Sequence, residues 1–600
     1  MGVAGAAEHL RPSAATNAGA IAASSSLNSR TSNRIVRLKA GTREMTSTLA
    51  SANTTELDVA IVGAGFAGLH MLYRALNSER NVKLFEAGSG VGGTWYWNRY
   101  PGARVDIESL EYSYSFSEEL QQEWKWSERY SAQPELLRYA NHVADRFNLR
   151  PHIQFNSPIA STIYDEQAQR WTLTTTAGEK IRAKFCILAT GLLYIPKAVP
   201  IDGLENYEGM QLFTSQWPED VDLSGRRVVV IGTGSTGVQC IQEIGKVASH
   251  LTVLQRTPSF CIPVRNRPTD PDFDRAIKSQ YKEIREKQLQ TLAGFLPLTF
   301  MDSPNPTKNA MDVSDEERQS VYDERWAAGG LSFYTAFKDL LVDPAANETL
   351  AEYVRNKIRE RVKDPETAEK LVPKGFPILA RRLATETDYY ETFNQDNVTL
   401  IDVNEEPIQR ATPDGIVVGE KFIPCDVIVF ATGFDALTGA IENIDIRGRG
   451  GETIKEHWAG GVETYAGLMC HGFPNLLFMN GPGSPSGFWA PIQIAEYQAD
   501  WIERCFDFLE QNGLESIEPT VDEEKRWSRI VAELADQTLF TKVKSWYQGD
   551  NIPGKPHRMM IYLGGYTGYR EECEQAVEEG YSRFILTKQS ATERLKALSS

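Results

Sequence analysis

Two glycine-rich turns are the parts of this sequence whose residue types and spacing point most directly to chemistry. An apolar, strand-like run leads into each of two G-x-G-x-x-G motifs, formed by Gly63, Gly65 and Gly68 and by Gly232, Gly234 and Gly237. In such a motif the first glycine permits a tight turn, the second lets a pyrophosphate approach the backbone, and the third lets a helix pack on the strand. Amides at the start of the helix then face the phosphate. The sequence therefore predicts two dinucleotide sites.

The strands that follow the two turns end in different charges. After the first turn, "NVKLFEA" ends in Glu86, about 20 residues on, where a carboxylate can accept hydrogen bonds from a ribose diol. After the second turn, "HLTVLQRTPSF" continues into Gln255, Arg256 and Thr257. An acid at that place would repel a 2′-phosphate, whereas Arg256 can pair with one. We therefore expect NADPH at the second turn and FAD at the first, with NADPH delivering hydride to the flavin.

Four apolar runs are expected to form the strands that position this chemistry. Leu57–Val62 and the run that begins at Val228 lead into the glycine turns. Phe185–Leu193 and Asp426–Asp435 each contain Ala-Thr-Gly, as expected where the chain crosses between nucleotide domains. The predicted fold class is α/β, with two Rossmann-like dinucleotide-binding domains.

The composition excludes several classes of protein. Of 600 residues, 41% are hydrophobic, enough for a large core divided into two or three domains. A formal net charge of −17 opposes binding to nucleic acid or an anionic membrane surface, and no apolar run is long enough to cross a bilayer. The seven cysteines contain no C-x-x-C pair, so neither a disulfide framework nor a metal site is predicted. We expect a monomer that acts on small molecules in a reducing compartment.

The first 55 residues differ from the rest of the sequence. They are rich in Ala, Ser, Thr and Asn and contain more basic than acidic residues. This composition is typical of a disordered leader or an organelle transit peptide. The alternative is a true start at Met45. The predicted location is the cytoplasm, or an organelle if this segment is a transit peptide.

A third motif connects the sequence to a known family. The stretch "GGTWYWNRYPGARVD" places a Gly-x-Trp before Tyr-Pro-Gly and an aspartate. It resembles the flavin-side signature of the type I Baeyer–Villiger monooxygenases, and the similarity extends from about Leu57 to Thr587. The second family signature, F-x-G-x-x-x-H-x-x-x-W, reads "YEGMQLFTSQW" here, with Phe213 in place of the usual histidine. Because that histidine lies in an interdomain linker in the family, its loss bears on domain coupling more than on reaction type.

The resemblance implies which residues surround each cofactor. The FAD positions are Gly63, Gly65, Phe66, Ala67, Gly68, Glu86, Thr94, Trp95, Asp106 and Tyr112. The NADPH positions are Gly232, Thr233, Gly234, Ser235, Thr236, Gly237, Arg256, Thr257, Arg381 and Trp546. Trp546 matches a residue of a mobile loop that closes over bound NADP, and Arg381 stands where relatives often have a lysine near the 2′-phosphate.

The same resemblance implies the reaction. Members of the family insert one oxygen atom of O2 next to a ketone carbonyl, giving an ester or lactone through a C4a-peroxyflavin. Arg382 matches the active-site arginine, whose permanent charge can stabilise a peroxyanion and then an oxyanion. Asp106 would orient that guanidinium. The implied substrate loop contains Ser486, Gly487, Phe488 and Trp489.

The motif order predicts how the chain divides into domains. The expected parts are an FAD-binding domain over 56–195 and 432–600, an NADPH-binding domain over 196–268 and 376–431, and a helical insertion over 269–375. Within the insertion, Ser314 and Glu317 have the spacing of a capping box at a helix start.

Two other functions stay open at this point. A flavin monooxygenase that oxidises sulfur or nitrogen shares both glycine turns, although its linker signature usually ends in Tyr, where this chain has Trp217. A nonenzymatic sensor that binds NADPH and flavin belongs to another class, and Phe213 is the one feature that favours it.

Overall fold

The computed structural model describes residues 55–588 except Ala198, Leu292, Ala293, Phe295 and 301–304. The predicted leader lies outside these residues apart from Thr55, where the first strand begins. In the described part, every helix is too short or too polar to span a lipid bilayer.

The strands of the described chain are β1 (Thr55–Val62), β2 (Val82–Phe85), β3 (Ile153–Gln154), β4 (Ile159–Asp165), β5 (Arg170–Thr175), β6 (Lys180–Leu188), β7 (Met210–Phe213), β8 (Arg227–Ile231), β9 (His250–Gln255), β10 (Cys261–Pro263), β11 (Ala384–Glu386), β12 (Val398–Asp402), β13 (Ile408–Thr412), β14 (Gly415–Val418), β15 (Lys421–Pro424), β16 (Val427–Phe430), β17 (Asp445–Arg447), β18 (Leu476–Phe478), β19 (Leu514–Pro519) and β20 (Phe584–Lys588).

The α-helices are α1 (Phe66–Asn77), α2 (Thr94–Trp97), α3 (Glu118–Glu123), α4 (Gln133–Arg146), α5 (Ser235–Ile244), α6 (Pro271–Lys278), α7 (Tyr281–Leu289), α8 (Asp315–Ala328), α9 (Pro344–Arg361), α10 (Pro365–Leu371), α11 (Tyr389–Thr392), α12 (Gly439–Glu442), α13 (Ile454–His457), α14 (Pro491–Gln511), α15 (Val521–Asp536) and α16 (Gly565–Glu578).

The first sheet has the strand order β17-β4-β5-β6-β1-β2-β3, with β18 also paired to β6. Strand β1 is parallel to both neighbours, and Val62 lies opposite Leu188 of β6 and Phe85 of β2. The carboxyl ends of these three strands therefore meet at one edge of the sheet. Successive residues of β1 face different cores, since Ile61 packs in one buried cluster and Val62 in another, as alternation along a strand requires.

The second sheet has the strand order β12-β9-β8-β16-β7, and all of its pairs are parallel. Ile231 at the end of β8 lies opposite Leu254 of β9 and Phe430 of β16. Both sheets thus place the ends of adjacent parallel strands beside a glycine turn, where nucleotides bind in such folds. The α/β class with two Rossmann-like cores is confirmed.

Between the two halves of the second sheet the chain is largely helical, from α6 to α10. The predicted capping box at the start of α8 is only half formed. Ser314 Oγ accepts the Glu317 N–H at 3.2 Å, but the Glu317 carboxylate pairs with Lys308 instead of returning to Ser314. The domain boundaries given above stay a prediction.

Candidate active site

One cavity of about 880 Å³ is lined by residues of both glycine turns. The predicted site residues in its wall are Gly63, Gly65, Phe66, Ala67, Glu86, Thr94, Trp95, Asp106, Tyr112, Gly232, Thr233, Gly234, Ser235, Thr236, Arg256, Thr257, Arg382, Gly487, Trp489 and Trp546. The predicted residues outside the lining are Gly68, Gly237, Arg381, Ser486 and Phe488. The structure thus brings most of both predicted cofactor sets to one space.

The first turn is built so that only glycine fits at two of its positions. Gly63 has φ +105°, and a Cβ there would collide with the carbonyl of Ala189, the residue directly after β6. A Cβ at Gly68 would collide with the carbonyl of Gly63. The helix and the strand therefore approach closely, and the backbone of the turn is left open to the cavity.

Both turns end in a helix start that has no side-chain cap. Gly65 is the N-cap of α1 and Gly234 is the N-cap of α5, and neither can offer a side-chain acceptor. A Cβ at Gly234 would meet nothing within 4 Å, so this backbone borders open space. Uncapped amides at a helix N-terminus, facing a cavity, suit a pyrophosphate. The residues present therefore fit a dinucleotide at each turn.

Glu86 closes the FAD side of the cavity. Its carboxylate accepts the Ala64 N–H at 2.6 Å and the Gly88 N–H at 2.7 Å. Burial raises the pKa of Glu86, against the opposing effect of these backbone hydrogen bonds. Each carboxylate oxygen still has a second lone pair for a ribose hydroxyl.

The Gly-x-Trp segment lies directly on the first turn. A Cβ at Gly93, which has φ +53°, would stand 2.7 Å from the Gly65 Cα, so glycine allows the two loops to touch. Trp95 Nε1 donates to the Tyr112 hydroxyl at 3.0 Å, and their rings meet edge to face. This contact gives the cavity wall an aromatic pair of fixed orientation.

A basic group lies on the NADPH side, and sequence reasoning found only part of it. Arg256 and Lys197 both line the cavity. Arg381 lies outside the lining, where it donates to the Lys544 carbonyl at 2.8 Å and stacks on Phe376. Burial, and then the charge of Arg256, lower the pKa of Lys197 and of Arg381. Such mutually repelling cations suit an anionic ligand.

Lys197 had no local sequence signal, since it comes from the crossover between the sheets. The backbone N–H of Lys197 donates to the Gly433 carbonyl at 3.0 Å, and the backbone N–H of Asp435 donates to the Ile195 carbonyl at 2.9 Å. The segments after the two Ala-Thr-Gly motifs therefore pair with each other. That pairing brings Lys197 to the cavity.

Gln239 is a second residue that sequence reasoning missed. It lies on α5 and lines the cavity, where its Oε1 accepts the Tyr100 hydroxyl at 2.8 Å and its Nε2 donates to the Arg104 carbonyl at 3.1 Å. A Cβ at Gly102 would collide with the Gln239 carbonyl. The Tyr-Pro-Gly loop of the FAD side is thus docked on the first helix of the NADPH side.

Arg382 and Asp106 form a bidentate ion pair in the cavity wall. Arg382 Nε donates to Asp106 Oδ2 at 2.8 Å, and Nη2 donates to Oδ1 at 2.9 Å. The remaining terminal nitrogen, Nη1, donates to the Phe488 carbonyl at 3.2 Å. Burial disfavours the charge on Arg382, but the Asp106 carboxylate outweighs it and raises the pKa of the guanidinium. The side chain is a permanent cation of fixed orientation.

The predicted substrate loop divides between wall and core. Gly487 and Trp489 line the cavity, whereas Phe488 is buried against Tyr334 and Phe540. Ser486 is also buried, and its hydroxyl donates to Asn480 Oδ1 at 2.5 Å. The side chains of Ser486 and Phe488 therefore anchor the loop in the core, outside the cavity lining.

Phe213, at the position of the family histidine, ends strand β7. It lies opposite Phe430 in the sheet, and the two rings stack with centroids 4.7 Å apart. Phe213 is outside the cavity lining. The exchange replaces a polar ring with an apolar contact in the second sheet.

One group of metal-ligand types lies elsewhere, formed by His457, Cys470 and Glu524. His457 Nε2 lies 3.1 Å from the Glu524 carboxylate. Burial disfavours the charge on His457, but the carboxylate outweighs it and raises the pKa of the imidazole. An ion pair accounts for this arrangement.

Comparison with known proteins places the chain in a family. A family profile described as pyridine nucleotide-disulphide oxidoreductase matches residues 57–287. Phenazine N-monooxygenase of Lysobacter antibioticus is 40% identical over 538 residues, which cover 89% of this chain and 97% of the relative. Cyclopentanone 1,2-monooxygenase of a Comamonas species is 39% identical over 535 residues, which cover 88% of this chain and 96% of the relative.

Solved structures agree over the same extent of the chain. A steroid monooxygenase bound to NADP has a TM-score of 0.84 at 43% identity, covering 89% of this chain and 100% of that one. Cyclohexanone monooxygenase from Rhodococcus sp. Phi1, bound to NADP+, has a TM-score of 0.86 at 39% identity, covering 90% and 100%. These similarities show that the chain belongs to the Baeyer–Villiger monooxygenases and is an FAD- and NADPH-dependent flavin monooxygenase.

Proposed function

We propose that the enzyme oxygenates a ketone to an ester or lactone. The observation that carries the proposal is the Arg382–Asp106 pair in the wall of the cavity shared by both nucleotide turns. Insertion of oxygen next to a carbonyl requires an oxygen nucleophile and then places negative charge on the former carbonyl oxygen. A fixed cation stabilises negative charge that develops at that place.

When bound, FAD supplies the activation of O2 and NADPH supplies the reducing equivalents. The part of the protein is positioning and charge. Asp106 engages two nitrogens of Arg382, and the Phe488 carbonyl engages the third, so the guanidinium cannot rotate freely. Because Nη1 also carries a second N–H, it can donate to an anionic oxygen in the cavity without leaving Phe488.

Oxygenation of aromatic nitrogen is the second candidate. One relative of 40% identity is a phenazine N-monooxygenase, so similarity at this level does not distinguish nitrogen from carbonyl carbon as the site of oxygen transfer. Such a transfer needs an electrophilic oxygen and forms no carbonyl oxyanion. The fixed cation of Arg382 therefore favours the ketone reaction. The nonenzymatic sensor is not supported, since the chain belongs to an enzyme family.

Product analysis separates the two candidates. The purified yellow protein is given NADPH, isotope-labelled O2 and, in separate reactions, cyclopentanone, acetophenone, a thioether and phenazine. We expect one labelled oxygen in a lactone or ester from the ketones. Labelled N-oxide from phenazine, with no ester from either ketone, would replace the proposal with the second candidate.

We further propose that the enzyme is a cytoplasmic monomer. All seven cysteines are buried and free, which suits a reducing compartment. Light scattering of the purified protein tests the oligomeric state, and fractionation of the source cells tests the location.

A further inference from the structure

Trp489 is an aromatic residue in the wall of the cavity that Arg382 also lines. It lines the cavity with only 2% of its surface exposed, and it directly follows Phe488, whose carbonyl accepts from Arg382. The backbone N–H of Trp489 donates to the Pro485 carbonyl at 3.0 Å, which closes a tight turn. The position of the indole therefore sets how wide the cavity is at this loop.

Two contacts fix that indole. Tyr566 stacks on it, with ring centroids 5.1 Å apart and planes 21° from parallel. Gly294, in the largely helical segment, approaches it so closely that a Cβ would overlap the ring atoms of Trp489. Gly294 also has φ +70°. Glycine at this position is thus what leaves space for the indole.

The backbone of Gly294 is itself held by a buried network. Gln288, fully buried, donates from Nε2 to the Gly294 carbonyl at 2.9 Å. Arg285 Nη1 donates to Gln288 Oε1 at 2.8 Å, and Arg285 Nη2 donates to Ser113 Oγ at 2.7 Å. Withdrawal of Gly294 would break its buried hydrogen bond with Gln288, whose amide Arg285 holds in place. The space available to an indole displaced by a side chain at 294 is the cavity.

We propose that Gly294 determines substrate size by setting the position of Trp489 in the wall of the cavity that Arg382 also lines. The inference rests on the proposed ketone oxygenation and deepens it. With glycine at 294 the indole stays back, and the site accepts ring ketones that carry a substituent. Any side chain at 294 would push the indole into the cavity and exclude those ketones first.

The test uses Gly294→Ala, Trp489→Leu and the double variant in the FAD-loaded enzyme, with cyclopentanone, cyclohexanone and phenylcyclohexanone as probes. Binding of each ketone and ester formation are both measured. We expect Gly294→Ala to lower kcat/KM for phenylcyclohexanone relative to cyclopentanone by roughly tenfold or more, the scale for one methylene in a tight pocket. Because leucine is smaller than the indole, the double variant should recover most of that loss.

Gly375→Ala is the matched control, since Gly375 has φ +78° but a Cβ there would meet nothing within 4 Å. It carries the same backbone strain without the collision. A relative preference unchanged in Gly294→Ala, or equally changed in Gly375→Ala, would overturn the inference. If Gly294→Ala does not fold, Trp489→Leu alone must shift the preference toward phenylcyclohexanone, and no shift would overturn it as well.

The two proposals fail in different ways. Ketones that bind with the expected size dependence but give no ester would overturn the proposed function and leave only the effect of Gly294 on ketone binding standing. Esters formed with the same size preference in all variants would do the opposite. A wild-type enzyme that neither binds nor oxygenates any of the three ketones would overturn both.

Discussion

The two glycine turns are nearly the same piece of backbone. Gly63 and Gly232 have φ +105° and +108°, and a Cβ on either would collide with the alanine carbonyl of an Ala-Thr-Gly motif, Ala189 or Ala431. The third glycine of each motif packs on the carbonyl of the first. The phosphate cradle therefore depends on backbone alone, and it cannot by itself select one dinucleotide over another.

The difference lies at the end of the next strand. On the first sheet Glu86 is buried, and its carboxylate accepts hydrogen bonds from the backbone amides of Ala64 and Gly88. On the second sheet the buried residue is Gln255, which donates to the Lys370 carbonyl at 2.7 Å, while Arg256 is exposed at the cavity. One site offers a buried acceptor and the other a solvated cation. We therefore propose that these two residues, placed on a shared scaffold, select the cofactor at each turn.

The largest expected effect concerns Arg382, because neither glycine turn supplies a cation at the reacting atoms. Arg382→Met should leave FAD and NADP+ binding largely intact, since the phosphate contacts lie on the turns, and should lower ester formation by at least roughly a hundredfold. Lysine should rescue poorly because a point charge cannot replace the planar fork. Ester yield beside flavin absorbance is the measurement, with exposed Arg410→Met as control. Normal ester yield from Arg382→Met would refute the role.

The next effect breaks each turn separately. Gly68→Ala and Gly237→Ala both place a Cβ against a backbone carbonyl, and overpacking of this kind costs about 1 to 3 kcal/mol. We expect Gly68→Ala to weaken FAD retention and Gly237→Ala to weaken NADP+ binding with FAD retained. Flavin absorbance and NADP+ titration measure the two. Gly460→Ala, where a Cβ would meet nothing within 4 Å, is the control. Loss of both cofactors in either variant would show that the turns are not independent.

The features predicted correctly from sequence are those that depend on local spacing. Strand, glycine turn and helix follow one another within about a dozen residues, so periodicity and glycine spacing are enough to predict them. The Arg382–Asp106 pair joins residues 276 positions apart, and only the family resemblance placed them together. Local sequence had no means to show it.

The features that were missed depend on packing between distant segments. Lys197 and Gln239 reach the cavity because the two crossover loops pair and because the Tyr-Pro-Gly loop docks on α5. The sequence could not show that Ser486 and Phe488 face the core. The tight turn that begins at Pro485 removes the regular alternation of side chains by which the two faces of a strand are predicted. Similarly, the Glu317 carboxylate does not complete the predicted capping box because it forms an ion pair with Lys308.

A smaller effect tests the cationic site. Arg256→Ala should weaken NADPH binding by roughly tenfold, the scale of one charge-assisted phosphate contact at an exposed site, and leave NADH binding nearly unchanged. Lys197 and Arg381 limit the loss because both lie close to Arg256. Titration of each nucleotide into the FAD-loaded enzyme is the measurement. Equal losses for NADPH and NADH would show that Arg256 does not read the 2′-phosphate.

The smallest effect concerns the pH dependence of FAD binding at the first site. Burial raises the pKa of Glu86 above its ordinary 4.5, so without cofactor this carboxylate takes up a proton earlier than most as pH falls. Ribose hydroxyls that donate to Glu86 favour the charged form. By linkage FAD binding then lowers this pKa, and FAD affinity falls as pH drops through the raised value, by less than tenfold per unit for one proton.

The 2′-phosphate of NADP+ itself takes up a proton at about pH 6, so the comparison is between wild type and Glu86→Gln in FAD affinity alone. Glu86→Gln keeps the shape of the side chain and one acceptor oxygen but cannot change charge, so it should bind FAD somewhat more weakly and lose the decline in FAD affinity that the wild type shows as pH falls toward the raised pKa. Fluorescence of released flavin, followed from neutral pH downward in wild type and variant, is the measurement. A pH dependence of FAD affinity that persists in Glu86→Gln would assign the titration to another group. It would also contradict the role of Glu86 as the acceptor at the FAD site.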